Sequence, residues 1–150
     1  MRVAEVMTTD VKTVSSRTSA ADAWELMRRQ GIHHLVVTDG SQVIGVLSDR
    51  DAGGRSGGKL RAESRVCDLM TDAVVTVGPT DTIRRVANLM RGRTIGCVPV
   101  LDGGKLKGIL TVSDVLTVVG GGAERPARAD RRTLNYRSPH RKHHRAYGAW

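Results

Sequence analysis

The chain has 150 residues, 39% of them apolar, enough for one ordinary domain or two small units sharing a core. No apolar run approaches ~18 residues, which argues against a transmembrane span, and the opening MRVAEVMTTD lacks the apolar centre of a signal peptide. Cys67 and Cys97 form no CxxC pair and no disulfide framework, so a reduced, cytoplasmic protein is expected.

The net charge of +9 is unevenly placed. Residues 121–150 carry eight Arg or Lys against Glu124 and Asp130, while residues 1–120 carry sixteen basic and thirteen acidic residues. A nearly balanced body is therefore followed by a basic tail.

In chain order, VKTV at 11–14 predicts a short strand. A helix follows, with Ala20, Ala23, Trp24 and Met27 on one face at helical spacing and Thr18 as its N-cap candidate. Trp24 reads as a core residue. LVVTDGSQVIGVL gives two β-rich runs around Asp-Gly, a hairpin signal, and its nearly continuous apolar character predicts strands covered on both faces. A closing helix is expected from SDRDA.

GGRSGGKLRAESR, residues 53–65, reads as a glycine-rich linker. Gly53, Gly58 and Lys59 fit GxxxxGK, but Leu60 stands where a phosphate-cradling loop needs a hydroxyl, and no strand precedes it. An ATPase is not expected.

The same elements then return. VVTV predicts a strand, and Ile83, Val86, Ala87 and Met90 mark a helix face with Asp81 as N-cap candidate. VPVLDGGKLKGIL predicts a second hairpin, and TVSDVLTVV a last helix. Cys97, in IGCVPV, reads as a small core residue.

The return is a true repeat. Shifted by 63 residues, the sequence matches itself without a gap from Val3 to Asp51, with about one aligned pair in three identical. The period exceeds that of common solenoids and occurs only twice, which suggests a pseudo-symmetric pair burying a shared face. The order is β-α-β-β-α, twice, an α/β fold.

The repeat includes a phrase, GVLSDRD at 45–51 and GILTVSD at 108–114. Ser48-x-x-Asp51 and Thr111-x-x-Asp114 each fit a capping box. Gly45 and Gly108, three residues upstream, are not explained by capping; a strand glycine often marks close approach of a backbone or a ligand. A helix start with a hydroxyl suits phosphate, and a carboxylate one turn on suits the vicinal hydroxyls of a ribose. Helix caps and a ribose-phosphate site both remain open from the pattern.

Both copies hold, in order, the blocks VMTTDVKTV and LMTDAVVTV, HLVVTDG and CVPVLDG, and GVLSDRD and GILTVSD. On these blocks residues 1–119 resemble a pair of cystathionine β-synthase (CBS) domains, a Bateman module, of the stand-alone bacterial type. The resemblance implies repeats over 1–52 and 66–119, with 53–65 as linker and 120–150 as tail. It implies a regulatory module, not an enzyme, that binds AMP, ADP, ATP or S-adenosylmethionine in clefts between the repeats and requires no cofactor. Carried over, Ser48 and Thr111 would meet phosphate, and Asp51 and Asp114 would hold ribose. Val11, Ile32 and His33, or Val74, Ile95 and Gly96, would hold adenine. The second corner, with Thr111, Asp114 and the small Gly96, is expected to be the more open, with His33 and His34 filling the first. Arg50, where the other copy has Ser113, would favour a polyphosphate if it faces the cleft. A homodimer through residues 1–119 is also implied.

In the tail, residues 123–150 hold Tyr136, Tyr147 and Trp150 among arginines, a pattern that suits nucleic acid or an acidic protein partner as well as a solvated extension. HRKHH at 140–144 is too positive to be a good metal site. The rival reading from another class is therefore a ligand-free interaction or stress protein acting through its tail.

Overall fold

The computed structural model describes residues 1–120; the basic tail beyond them, with the nucleic-acid or acidic-protein contacts expected of it, lies outside the described residues. The chain divides into two units, Met1–Val115 and a second that begins at Leu116.

In the first repeat β1 (Thr13–Ser15) leads to α1 (Ala20–Gln30), then β2 (His34–Asp39) and β3 (Gln42–Ser48). The sheet order is β1-β2-β3, with β1 parallel to β2 and β2 antiparallel to β3. α1 buries Ala20, Ala23 and Met27 on the anticipated face. Trp24 is half-buried beside them, with the Arg61 guanidinium stacked 3.8 Å over its ring. The N-cap is Ser19, one residue beyond Thr18, and its hydroxyl accepts from the Asp22 N–H. In the second repeat the cap is Thr82, accepting from Arg85 N–H; Asp81 instead accepts from Gly78 N–H and pairs with Arg85. The two true caps are again 63 residues apart.

The closing helix expected at SDRDA is absent. The Ala52 N–H reaches back to the Ser48 carbonyl for one helical turn, and then Gly53 and Gly54 take φ of 93° and 61°. Those left-handed conformations stop a helix at almost no cost for glycine. The helix forms later, as α2 (Gly58–Ala62), inside the stretch read as a linker. Arg61 ties it down: buried, it donates from Nη1 to the carbonyls of Ala52 (2.8 Å) and Gly54 (2.6 Å).

The second repeat continues with α3 (Val66–Leu69), α4 (Ile83–Arg93), β4 (Cys97–Asp102), β5 (Lys105–Thr111) and α5 (Val112–Gly120), which runs across the boundary between the units. β4 and β5 pair antiparallel. The strand expected at VVTV is reduced to one parallel bridge, Val77 with Val100. In the first repeat the Val36 N–H donates to the Lys12 carbonyl. Pro99 occupies the matching position and has no N–H to give, so that ladder bond is lost.

The repeats exchange their leading segments. Val3 is fully buried in the second repeat's core with Val77, Ile83, Val86, Val98, Val100 and Leu110. Its counterpart Val66 is fully buried in the first repeat's core with Ala23, Met27, Leu35, Val37 and Leu47. Backbone bonds follow the same exchange. Thr8 and Ile109 trade N–H···O bonds of 2.9 Å, and Val46 and Thr71 do so at 3.0 and 2.9 Å. A third cluster, Val36, Cys97 and Ile109, draws on both repeats. Among the described residues, no helix is long and apolar enough to cross a membrane.

Candidate functional site

The strand register builds the site. β2 starts where β3 ends, pairing His34 with Ser48, and β4 and β5 pair Cys97 with Thr111 in the same way. The Asp49 N–H donates to the His33 carbonyl at 2.9 Å, and the Val112 N–H to the Gly96 carbonyl at 3.0 Å. These bonds hold each Ser/Thr-x-x-Asp turn against the start of the neighbouring strand.

Both turns close as reciprocal caps. Ser48 Oγ accepts from Asp51 N–H (2.9 Å), and Asp51 Oδ2 accepts from Ser48 N–H (3.1 Å). Thr111 Oγ1 accepts from Asp114 N–H (3.3 Å), and Asp114 Oδ2 from Thr111 N–H (2.9 Å). A hydroxyl that accepts at its oxygen still has its own proton to donate, and a carboxylate has further lone pairs. Capping and ligand contact are therefore compatible at one turn.

The glycine of the phrase has its explanation in the exchange. A β-carbon on Gly45 would lie 2.6 Å from Met70 Sδ and 3.0 Å from the Thr71 carbonyl oxygen. One on Gly108 would lie 2.7 Å from Met7 Sδ and 2.8 Å from the Thr8 carbonyl oxygen. Each glycine makes room for the Met-Thr segment of the other repeat.

One cleft of about 780 Å³ gathers residues of both repeats. Val11, Ile32, His33, Ser48, Asp51, Val74, Ile95, Gly96 and Thr111 all line it; Asp114 does not. Where the two corners meet, a β-carbon on Gly96 would lie 3.4 Å from His34 Nε2, an ordinary van der Waals distance. His33, read as filling the first corner, lies largely open to solvent. Its side chain is 74% exposed, with Nδ1 2.8 Å from Asp49 Oδ2. Sequence reasoning named neither Thr8 nor Thr71 as a lining residue. The identical Met7-Thr8 and Met70-Thr71 pairs were the available signal.

Burial pushes the His34 imidazole below its ordinary value and outweighs the nearby Asp49, which acts in the opposite direction. Burial, with Asp51 adding to it, pushes the Cys97 thiol up to about 12, so it stays protonated and unreactive. Among the described residues no group of three His, Cys, Asp or Glu is placed to hold a metal ion.

The CBS domain family model matches residues 3–52 and 66–121, and the chain belongs to that family. It is 36% identical over 107 residues to an inosine-5'-monophosphate dehydrogenase of Korarchaeum cryptofilum, covering 71% of this chain but 22% of that one. It is 28% identical over 114 residues to the CBS domain-containing protein YhcV of Bacillus subtilis, covering 75% and 81%. The chain thus spans about a fifth to a quarter of the first curated relatives it matches, and most of YhcV. Among solved structures, CBSX2 in complex with AMP superposes with a TM-score of 0.70 at 28% identity, over 82% of this chain and 98% of that one.

Proposed function

We propose that the chain is a regulatory module that binds an adenine nucleotide or S-adenosylmethionine in the cleft between its repeats, without turning it over. One observation carries this: nine residues chosen for adenine, ribose and phosphate contacts, from both repeats, line a single cleft. The AMP complex of CBSX2, a protein of the same fold, supports it. In this reading Ser48 donates its hydroxyl to phosphate and Asp51 accepts from the ribose hydroxyls, while Val11, Ile32, Val74 and Ile95 supply apolar surface to the base. Asp51, which lines the cleft, replaces Asp114 as the leading ribose contact.

The test is calorimetry on nucleotide-stripped protein with AMP, ADP, ATP and S-adenosylmethionine. A charged acceptor is worth about 1.5–3 kcal/mol, so Asp51→Ala should weaken the preferred ligand roughly ten- to a hundredfold. The Asp114→Ala variant should lose less, and a 2′-deoxy analogue should be nearly indifferent to the Asp51 change. If none of the four binds below about a millimolar, the turns are caps only.

That outcome would favour the second reading, a ligand-free interaction module. The observation on its side is that both Ser/Thr-x-x-Asp turns already satisfy themselves.

A further inference from the structure

The two repeats contribute unequally to the charge of the cleft. At six aligned positions the first repeat carries Asp10, Lys12, His33, His34, Asp49 and Arg50, where the second carries Ala73, Val75, Gly96, Cys97, Val112 and Ser113. All twelve line the cleft. Asp51 also comes from the first repeat, so among the described residues every charged lining residue does, and the ionisable Cys97 is held as a neutral thiol. The cleft has one charged half and one neutral half.

Within the charged half, most of the charged groups already have a polar partner. Lys12 Nζ pairs with Asp10 at 3.2 Å, His33 with Asp49 at 2.8 Å, and Asp51 accepts from the Ser48 N–H. The Arg50 side chain makes no hydrogen bond or ion pair among the described residues. His34, half-buried beside Ser48 in the ladder, and Gln30 are the other nitrogen-bearing lining side chains of the first repeat left without a hydrogen bond there, and of these two only the imidazole can take up a proton.

Resting on the nucleotide reading above, we infer that the cleft recognises ligand charge at the first-repeat end only, with Arg50 and His34 as the residues that select for an anionic, phosphate-bearing end. A bound phosphate chain there meets one uncommitted guanidinium and an imidazole able to donate. Among the described residues the opposite half offers Val75, Cys97 and Val112 and no charge. Affinity is therefore expected to rise with the number of phosphates. The cationic S-adenosylmethionine is the weakest adenosyl ligand.

The experiment titrates adenosine, AMP, ADP, ATP and S-adenosylmethionine into the full chain by calorimetry at fixed low salt. In the parent protein ATP should bind about tenfold or more tighter than adenosine, since a charge-assisted contact is worth about that factor. In Arg50→Ser, which installs the second repeat's residue at an exposed position, the spread should shrink several-fold, and in Arg50→Ser/His34→Gln to within about twofold. Raising the salt should compress the parent's spread in the same direction. Equal affinities across the phosphate series, or a spread unmoved by Arg50→Ser, would overturn the charge inference and leave nucleotide binding standing. If neither adenosine nor any nucleotide binds, both fall together.

Discussion

His34 stands at the meeting point of the two repeats, and its protonation is expected to register in stability. Desolvation lowers its affinity for a proton; His33 acts in the same direction, while Asp49 and Asp51 oppose it. The folded chain therefore holds this proton less tightly than the unfolded chain, where the ordinary value is 6.5. The stabilisation is present above that value and is lost as pH falls through the lower folded one. Urea midpoints measured at pH 7.5 and 5.5 should drop on acidification, and the drop should be smaller in His34→Gln. An equal drop in both proteins would assign the pH dependence to other groups. A bound anion acts in the reverse sense, because it favours the imidazolium. Nucleotide affinity of the parent should therefore gain on the variant's as pH falls from 7.5 to 6.

The exchanged segments matter most among the elements. α3 and the short helix at Val3–Glu5 each lodge a fully buried valine in the other repeat's core. Met7-Thr8 and Met70-Thr71 then cross the strands at Gly108 and Gly45. Neither glycine has a positive φ, so the constraint there is space rather than backbone conformation. Gly108→Ala brings a methyl to 2.8 Å from a backbone carbonyl that is itself committed to the Ile109 N–H. Overpacking of this kind costs about 1–3 kcal/mol, and chemical denaturation should show a loss of that size. A neutral result would mean that the crossing segment is free to shift. The contribution of α2 is different in kind. Arg61 couples its guanidinium to Trp24 and to two carbonyls, which anchors a helix inside a glycine-rich stretch.

On the scale of the whole chain, a prediction about assembly rests on the end of α5. There Leu116 is 61% and Val119 76% exposed. A homodimer formed through residues 1–119 is expected, and sedimentation of a form lacking residues 121–150 at tens of micromolar should find it. A monomer under those conditions contradicts the assignment.

Much of this was legible in the residues. Local signals are carried by neighbours in sequence, so the apolar faces of α1 and α4, the Asp-Gly hairpins and the two Ser/Thr-x-x-Asp turns could be placed before any coordinates. The repeat supplied a second, independent reading of each. The caps were misplaced by one residue because Thr18 and Ser19, like Asp81 and Thr82, are both good capping types; only the backbone conformation chooses between them. The closing helix at SDRDA was misread because Gly53 and Gly54 end it after one turn. Three matters were decided only in three dimensions: which repeat's core receives Val3 and Val66, why Gly45 and Gly108 must be glycine, and how residues of both repeats come to share one cleft. All three depend on contacts between residues far apart in sequence. A repeated sequence is equally compatible with each copy folding on its own leading segment and with the copies trading segments, and the burial of Val3 and Val66 in the opposite cores settles which occurs.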